Sequence, residues 1–229
     1  YVVVVSLPFI IYYIGKARFI ERHGGFFSET RRYKIAQRCI RIMMRNGRIR
    51  TRSYGQELLP EEGGYVMYSN HQGKYDTLGI MHSHPTPCTI VMDYTRSMLP
   101  IVNPFIDLVK GKRLDKSDMK SQMKTILEIV EEVKAGRRYI IFPEGGYDHN
   151  KNTVQRFMPG SFKYATKAKA PIVPVAIIDS YKAFDTSSTE NVNVQIHYLE
   201  PITYDEYKML KTTEVAEIVK EKIKNTIDN

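Results

Sequence analysis

Several catalytic signatures are missing from this chain of 229 residues. It contains no GxSxG, no GxGxxG, no HExxH and no GxxxxGK followed by Ser or Thr. The readings as elbow-serine hydrolase, dinucleotide binder, zinc protease and P-loop nucleotidase fall away with them. Cysteine is scarce, since Cys39 and Cys88 are the whole supply and form no CxxC pair. That excludes a disulfide framework, fits a reducing compartment, and leaves two buried, inert thiols as the plain expectation. No repeat or low-complexity run divides the chain, so it reads as one domain with an N-terminal appendage. Disorder is excluded by a hydrophobic share of 42% against a charged share of 26%.

Acidic residues are absent from positions 30 to 56, and this local gap explains the net charge. Arg31, Arg32, Lys34, Arg38, Arg41, Arg45, Arg48, Arg50 and Arg52 fall there. These nine equal the whole excess of 34 basic over 25 acidic side chains. Such a patch attracts polyanions: nucleic acid, anionic lipid or an acidic carrier protein. The preceding segment, Tyr1 to Ile14, favours lipid because it is almost wholly apolar. As a helix those residues reach only about 21 Å, short of a hydrocarbon core of roughly 30 Å. With Pro8 to kink it and Lys16, Arg18 and Arg22 just beyond, it reads as an interfacial anchor with its positive charges on the cytoplasmic side. The expected location is the cytoplasmic face of the cell membrane, with an anionic membrane surface and not nucleic acid as partner.

Periodicity predicts a helix from Ser28 to about Asn46, with Ile35, Cys39, Ile42 and Met43 near one face. Strands are expected at Ile49 to Tyr54, Tyr65 to Tyr68, Thr89 to Asp93, Lys112 to Leu114, Tyr139 to Phe142, Ile172 to Ile178 and Val192 to Leu199. Helices are expected near Asp76, from about Asp118 to Lys134, between the fifth and sixth strands, and from about Thr213 to Ile227. On the long helix Met123, Ile126, Leu127, Val130 and Val133 recur at core spacing. The alternation predicts an α/β domain, residues 49–229, with a central, mostly parallel or mixed sheet flanked by helices. Residues 1–48 form the membrane-associated helix pair.

Two polar motifs follow strands, where ligands collect in such sheets. The first is Asn70-His71-Gln72-Gly73-Lys74-Tyr75-Asp76. A turn at Gly73 is expected to bring Asp76 back to the imidazole, holding one ring nitrogen as donor and leaving the other as a base. The spacing fits equally a structural histidine with a capping aspartate. With no nucleophile evident, a hydroxyl of the substrate is the simplest group for such a base to deprotonate. The second motif, Phe142-Pro143-Glu144-Gly145-Gly146, lets backbone approach a ligand and offers amides to an anion. Between them, Gly111 to Lys116 gathers cations at a strand end, either as a phosphate site or as a solvated face. His82 and His84 form an HxH without a matching ligand cluster and read as solvent-facing or packed histidines.

Together these stretches resemble the 1-acylglycerol-3-phosphate acyltransferase family of glycerolipid synthesis, from about Tyr65 to Ile178. Asn70-His71 through Asp76 matches the family's NHxxxxD block, and Gly111 to Asp118 its second block, with Lys116 where an Arg is usual. Phe142 to Gly145 matches the third, and Ile172-Val173-Pro174-Val175 the fourth. Gly160-Ser161-Phe162-Lys163 is similar to an intervening stretch. The resemblance implies a membrane-bound helix pair, His71 as general base and Asp76 as its orienting partner. Asn70, Arg113, Lys116, Glu144, Gly145, Gly146 and Lys163 are then candidates for binding substrate. It also implies transfer of an acyl group from acyl carrier protein or coenzyme A to lysophosphatidate, without metal or other cofactor. One departure stands out: Gly146-Tyr147 occupies the place of the family's usual Thr-Arg, which bears on the acceptor.

Overall fold

The computed structural model describes residues 2–185 and 190–228. It opens with α1 (Val2–Arg22) and α2 (Glu29–Asn46). The first helix outruns the apolar segment and takes in the charges beyond it, with Pro8 inside without ending it. Among the described residues no helix is long and apolar enough to cross a membrane. α2 begins where Ser28 accepts the Arg31 amide at 3.3 Å, and it stops at Gly47.

The sheet comes next, in the expected alternation. β1 (Ile49–Tyr54), β2 (Tyr65–Ser69), α3 (Asp76–Ser83) and β3 (Thr89–Asp93) come first. Then come α4 (Tyr94–Ser97), α5 (Val102–Leu108), β4 (Lys112–Leu114), α6 (Met119–Lys134) and β5 (Arg138–Ile141). The chain closes with α7 (Lys163–Ala168), β6 (Ile172–Ile178), α8 (Lys182–Asp185), β7 (Val192–Tyr198), α9 (Tyr204–Tyr207) and α10 (Thr212–Asp228).

Seven strands lie in the order β1-β7-β6-β2-β5-β3-β4. All neighbours are parallel except β6 and β7. Five carboxyl ends, those of β6, β2, β5, β3 and β4, therefore open side by side on one edge. The central strands are buried on both faces, which is why they read as continuous apolar runs. Their alternate residues feed two cores. Tyr65, Met67, Val173, Val175 and Ile140 face one that includes Ala17 and Ile20 of α1 and Tyr33, Ala36 and Ile40 of α2. Val66, Tyr68, Ile172, Tyr139 and Ile141 face the other, against α6, α7 and α10.

Two helix faces depart from expectation. In α2 the buried stripe is Tyr33, Ala36, Ile40 and Met44, while Ile35, Cys39, Ile42 and Met43 are half-buried beside it. Tyr33 sets that rotation, because its hydroxyl donates to the Met81 carbonyl at 2.8 Å. Arg32 leaves the solvated cations, buried in an ion pair with Glu21 at 3.1 Å. In α6, Val130 and Val133 are buried and Ile126 half-buried, but Met123 and Leu127 are 48% and 50% exposed. The first half of that helix overhangs the open sheet edge instead of covering the core. The His82-His84 pair is divided: His84 is fully buried, its ring bonded to the Tyr65 hydroxyl at 2.7 Å and the Thr86 carbonyl at 2.6 Å.

Candidate active site

β2 ends at Ser69, and Asn70 pins the loop beyond it to β6. The Asn70 side-chain amide donates to the Ile177 carbonyl at 2.9 Å and accepts the Ile177 amide at 2.8 Å. His71 emerges between aromatic rings. Phe142 stacks on the imidazole at 4.2 Å and 17°, and Tyr147 meets it edge-on at 4.6 Å. Phe142 can do so because β5 stops at Ile141, one residue earlier than the sequence suggests.

Asp76, the first residue of α3, is fully buried with one carboxylate oxygen 2.6 Å from His71 Nδ1. The same oxygen accepts the amides of Gln72 at 2.6 Å and Gly73 at 3.0 Å. Gly73 thus contributes an amide, not a left-handed backbone. The second oxygen accepts from the Ser180 hydroxyl. A carboxylate so surrounded by donors fixes the proton on Nδ1 and leaves Nε2 as acceptor. Gln72 backs the arrangement, accepting the Ser180 amide at 3.0 Å and donating to Asn152 and Ile177, each at 2.8 Å. Asn150 donates to the His71 carbonyl at 2.9 Å.

His71 lines a cavity of about 1480 Å³ that runs from the sheet edge, past β3 and α5, to Ile10 and Tyr13 of α1 and Cys39 and Met43 of α2. Its wall is mainly apolar. Of the other sequence-predicted residues, Lys116, Gly145, Gly146 and Lys163 line it. Lys116 Nζ donates to the Gly145 carbonyl at 3.1 Å, which brings the second and third blocks together. Gly145 has φ 76°, a left-handed conformation suited to glycine, and an added Cβ there would lie 2.2 Å from Met158 Cε.

The remaining three stand off the wall. Asn70 is consumed by its two bonds to β6. Arg113 donates to Asn103 and Asp107, both at 2.6 Å, so its charge is answered by the turn of α5 before it. Glu144 accepts the Gln155 amide at 3.3 Å, while its second oxygen is buried without a hydrogen bond of good geometry. Burial drives this carboxyl up to about 7, against the pull of the Gln155 and His71 amides. Sequence reasoning did not single out Ser180, Tyr147, Arg96 or Lys74 as site residues. Only Tyr147 carried a signal, as the departure from Thr-Arg. Among the described residues, no three His, Cys, Asp or Glu side chains cluster to hold a metal ion.

The acyltransferase family model matches residues 50–178, more than half of the chain and the span that holds this site. The 1-acyl-sn-glycerol-3-phosphate acyltransferase of Saccharomyces cerevisiae is 27% identical over 182 residues, 76% of this chain and 58% of that protein. The Escherichia coli protein of the same name is 25% identical over 155 residues, 67% of this chain and 63% of its own. The chain thus spans less than two thirds of the length of either relative. In fold it matches the crystal structure of the 1-acyl-sn-glycerophosphate (LPA) acyltransferase, PlsC, from Thermotoga maritima. The TM-score is 0.78 at 20% identity, covering 100% of this chain and 93% of that one. The residues that the family model matches include all four sequence blocks and the strands that carry them, and this chain belongs to the acyltransferase family.

Proposed function

We propose that the chain transfers an acyl group from a thioester to the free hydroxyl of lysophosphatidate, giving phosphatidate. The observation that carries this reading is the His71–Asp76 contact at 2.6 Å on the wall of a large, mainly apolar cavity. The acceptor hydroxyl gives its proton to His71 Nε2 as its oxygen attacks the thioester carbonyl. Asp76 stabilises the imidazolium that forms. Collapse of the tetrahedral intermediate breaks the carbon–sulfur bond, and the imidazolium returns the proton to the departing thiolate. Lys116 and Lys163 face the acceptor phosphate, and Gly145 and Gly146 let backbone come close to the headgroup. Asn70 and Ser180 are positioning residues that hold His71 and Asp76.

Acyl carrier protein and coenzyme A are both anionic and both suit the exposed cations as donor. Residues 1–48 make the membrane contact and 49–229 the chemistry, at the cytoplasmic face of the cell membrane. Two features support that division. α1 exposes Val4, Val5, Leu7, Phe9, Ile11 and Tyr12, an apolar face that water does not favour. Arg31, Lys34, Arg38, Arg41 and Arg45 are exposed on α2 next to it, where anionic headgroups would meet them.

The test is thiol release from palmitoyl-coenzyme A, and separately from acyl carrier protein loaded with the same chain, on lysophosphatidate vesicles. Acceptor-dependent release is expected, falling by about 10²–10⁴-fold in His71→Ala. Release indifferent to that substitution would refute the role of His71. The Gly146-Tyr147 departure favours one second reading, a lyso-lipid acceptor without the terminal phosphate. Faster release with 1-monoacylglycerol than with lysophosphatidate would establish it.

A further inference from the structure

Tyr147 stands where the family usually carries an Arg, and the chemistry proposed above gives its ring no part. It sits two residues beyond Gly145, on the loop after β5, and is half-buried. The ring meets the His71 imidazole edge-on, at 4.6 Å and 73°, while Phe142 stacks on the same imidazole at 4.2 Å. Asp76 takes the Nδ1 side at 2.6 Å. Among these three neighbours the His71 side chain keeps only 16% of its exposure. His71, Phe142 and Tyr147 line the cavity together. A second contact steadies the tyrosine, the Arg96 guanidinium of α4, whose Cζ lies 5.7 Å from the ring centroid.

We infer that Tyr147 sets the choice between acyl transfer and hydrolysis, by keeping water from the His71 base. The inference rests on His71 acting as the base of the transfer described above, and adds what that base must refuse. A base that takes a proton from a lysolipid hydroxyl can take one from water. The water oxygen would attack the thioester carbonyl, the carbon–sulfur bond would break, and His71 would return the proton to the thiolate. The products are a free fatty acid and a thiol, and the acyl group is lost to the acceptor. Size cannot refuse water, which fills about 30 Å³ where the cavity offers about 1480 Å³. Hydrogen bonding can. A water molecule settles inside a protein where about three polar groups meet it, and apolar pockets stay dry. Beside His71 Nε2 the Phe142 and Tyr147 rings present aromatic carbon in place of such partners. An acceptor hydroxyl needs no partner there except the base, because contacts along the rest of the lysolipid hold it in position. Shielding of this kind is how a site prevents wasteful hydrolysis of a reactive acyl group.

The measurement is the ratio of free palmitate to acylated lipid, formed from palmitoyl-coenzyme A or palmitoyl carrier protein with lysophosphatidate vesicles. In Tyr147→Ala this ratio is expected to rise about tenfold, since the base it opens to water is worth about 10²–10⁴-fold. Adding His71→Ala to that variant should abolish the gain in palmitate. Tyr147→Phe, which keeps the ring, should keep the wild-type ratio. If Tyr147→Ala melts below wild type, Tyr147→Leu carries the same comparison with a smaller rise. A purely structural role would slow both products together, so a ratio within twofold of wild type in the Ala and Leu variants would overturn the inference. So would loss of both products in a variant that melts as wild type does, or a palmitate gain that survives His71→Ala. Absence of acceptor-dependent thiol release from either donor in wild type would instead overturn the acyl-transfer reading beneath it.

Discussion

Burial raises the Glu144 carboxyl from 4.5 to about 7, so between those values the folded chain holds a proton that the unfolded chain has released. Stability therefore falls as pH rises through this window and levels off above it. Replacing Glu144 with Gln removes the slope. Urea unfolding at pH 5 and pH 8 should show the wild type losing on the order of 2 kcal/mol relative to Glu144→Gln. Parallel profiles would mean that the carboxyl keeps its contact with water. At Gly145 a side chain costs about 1–2 kcal/mol for the left-handed backbone alone, so Gly145→Ala should unfold several degrees lower. Gly146, with nothing within 4 Å of an added Cβ, should tolerate the same change. Equal melting of the two variants would sink the distinction. The His71–Asp76 contact was legible because its partners are five residues apart and share one turn. Ser180, by contrast, lies 104 residues from Asp76 in sequence and meets it only because β6 runs beside β2. The local partners of Arg113 were hidden for a related reason: the helix turn that brings Asp107 beneath it is invisible in a charge run.

Strand positions were read from the sequence to within a residue or so, because fully buried parallel strands announce themselves as short apolar runs between turns. Helix faces were harder. In α2 a hydroxyl reaching across to the α3 carbonyl at Met81 decides which stripe is buried, and periodicity cannot see it. In α6 the apolar stripe continues past the edge of the core, so Met123 and Leu127 satisfy the pattern without burial. α1 yields a prediction at this scale. Phe9 and Ile11 are 47% and 61% exposed, so replacing both with Ser should leave unfolding within about 0.5 kcal/mol of wild type for each change. Sedimentation with anionic vesicles should drop severalfold. Undiminished sedimentation would show that this face is not the lipid contact.

Charge is a property of the whole molecule here, concentrated in one region and balanced elsewhere. Raising ionic strength from about 0.1 to 1 M shortens the screening length from about 10 to 3 Å. Binding to anionic vesicles should then weaken about tenfold or more without vanishing, because the apolar face of α1 is insensitive to salt. Salt-independent binding would remove the α2 cations from the contact. The sheet order carries a consequence in time. Ile49 of β1 pairs with Val192 of β7, so a strand translated early waits for one of the last to be made. Pairings this distant in sequence close slowly and late. On the ribosome, α1 and α2 have therefore emerged well before the sheet beside them is sealed, and through that interval the apolar residues they will pack against the sheet stand open to aggregation.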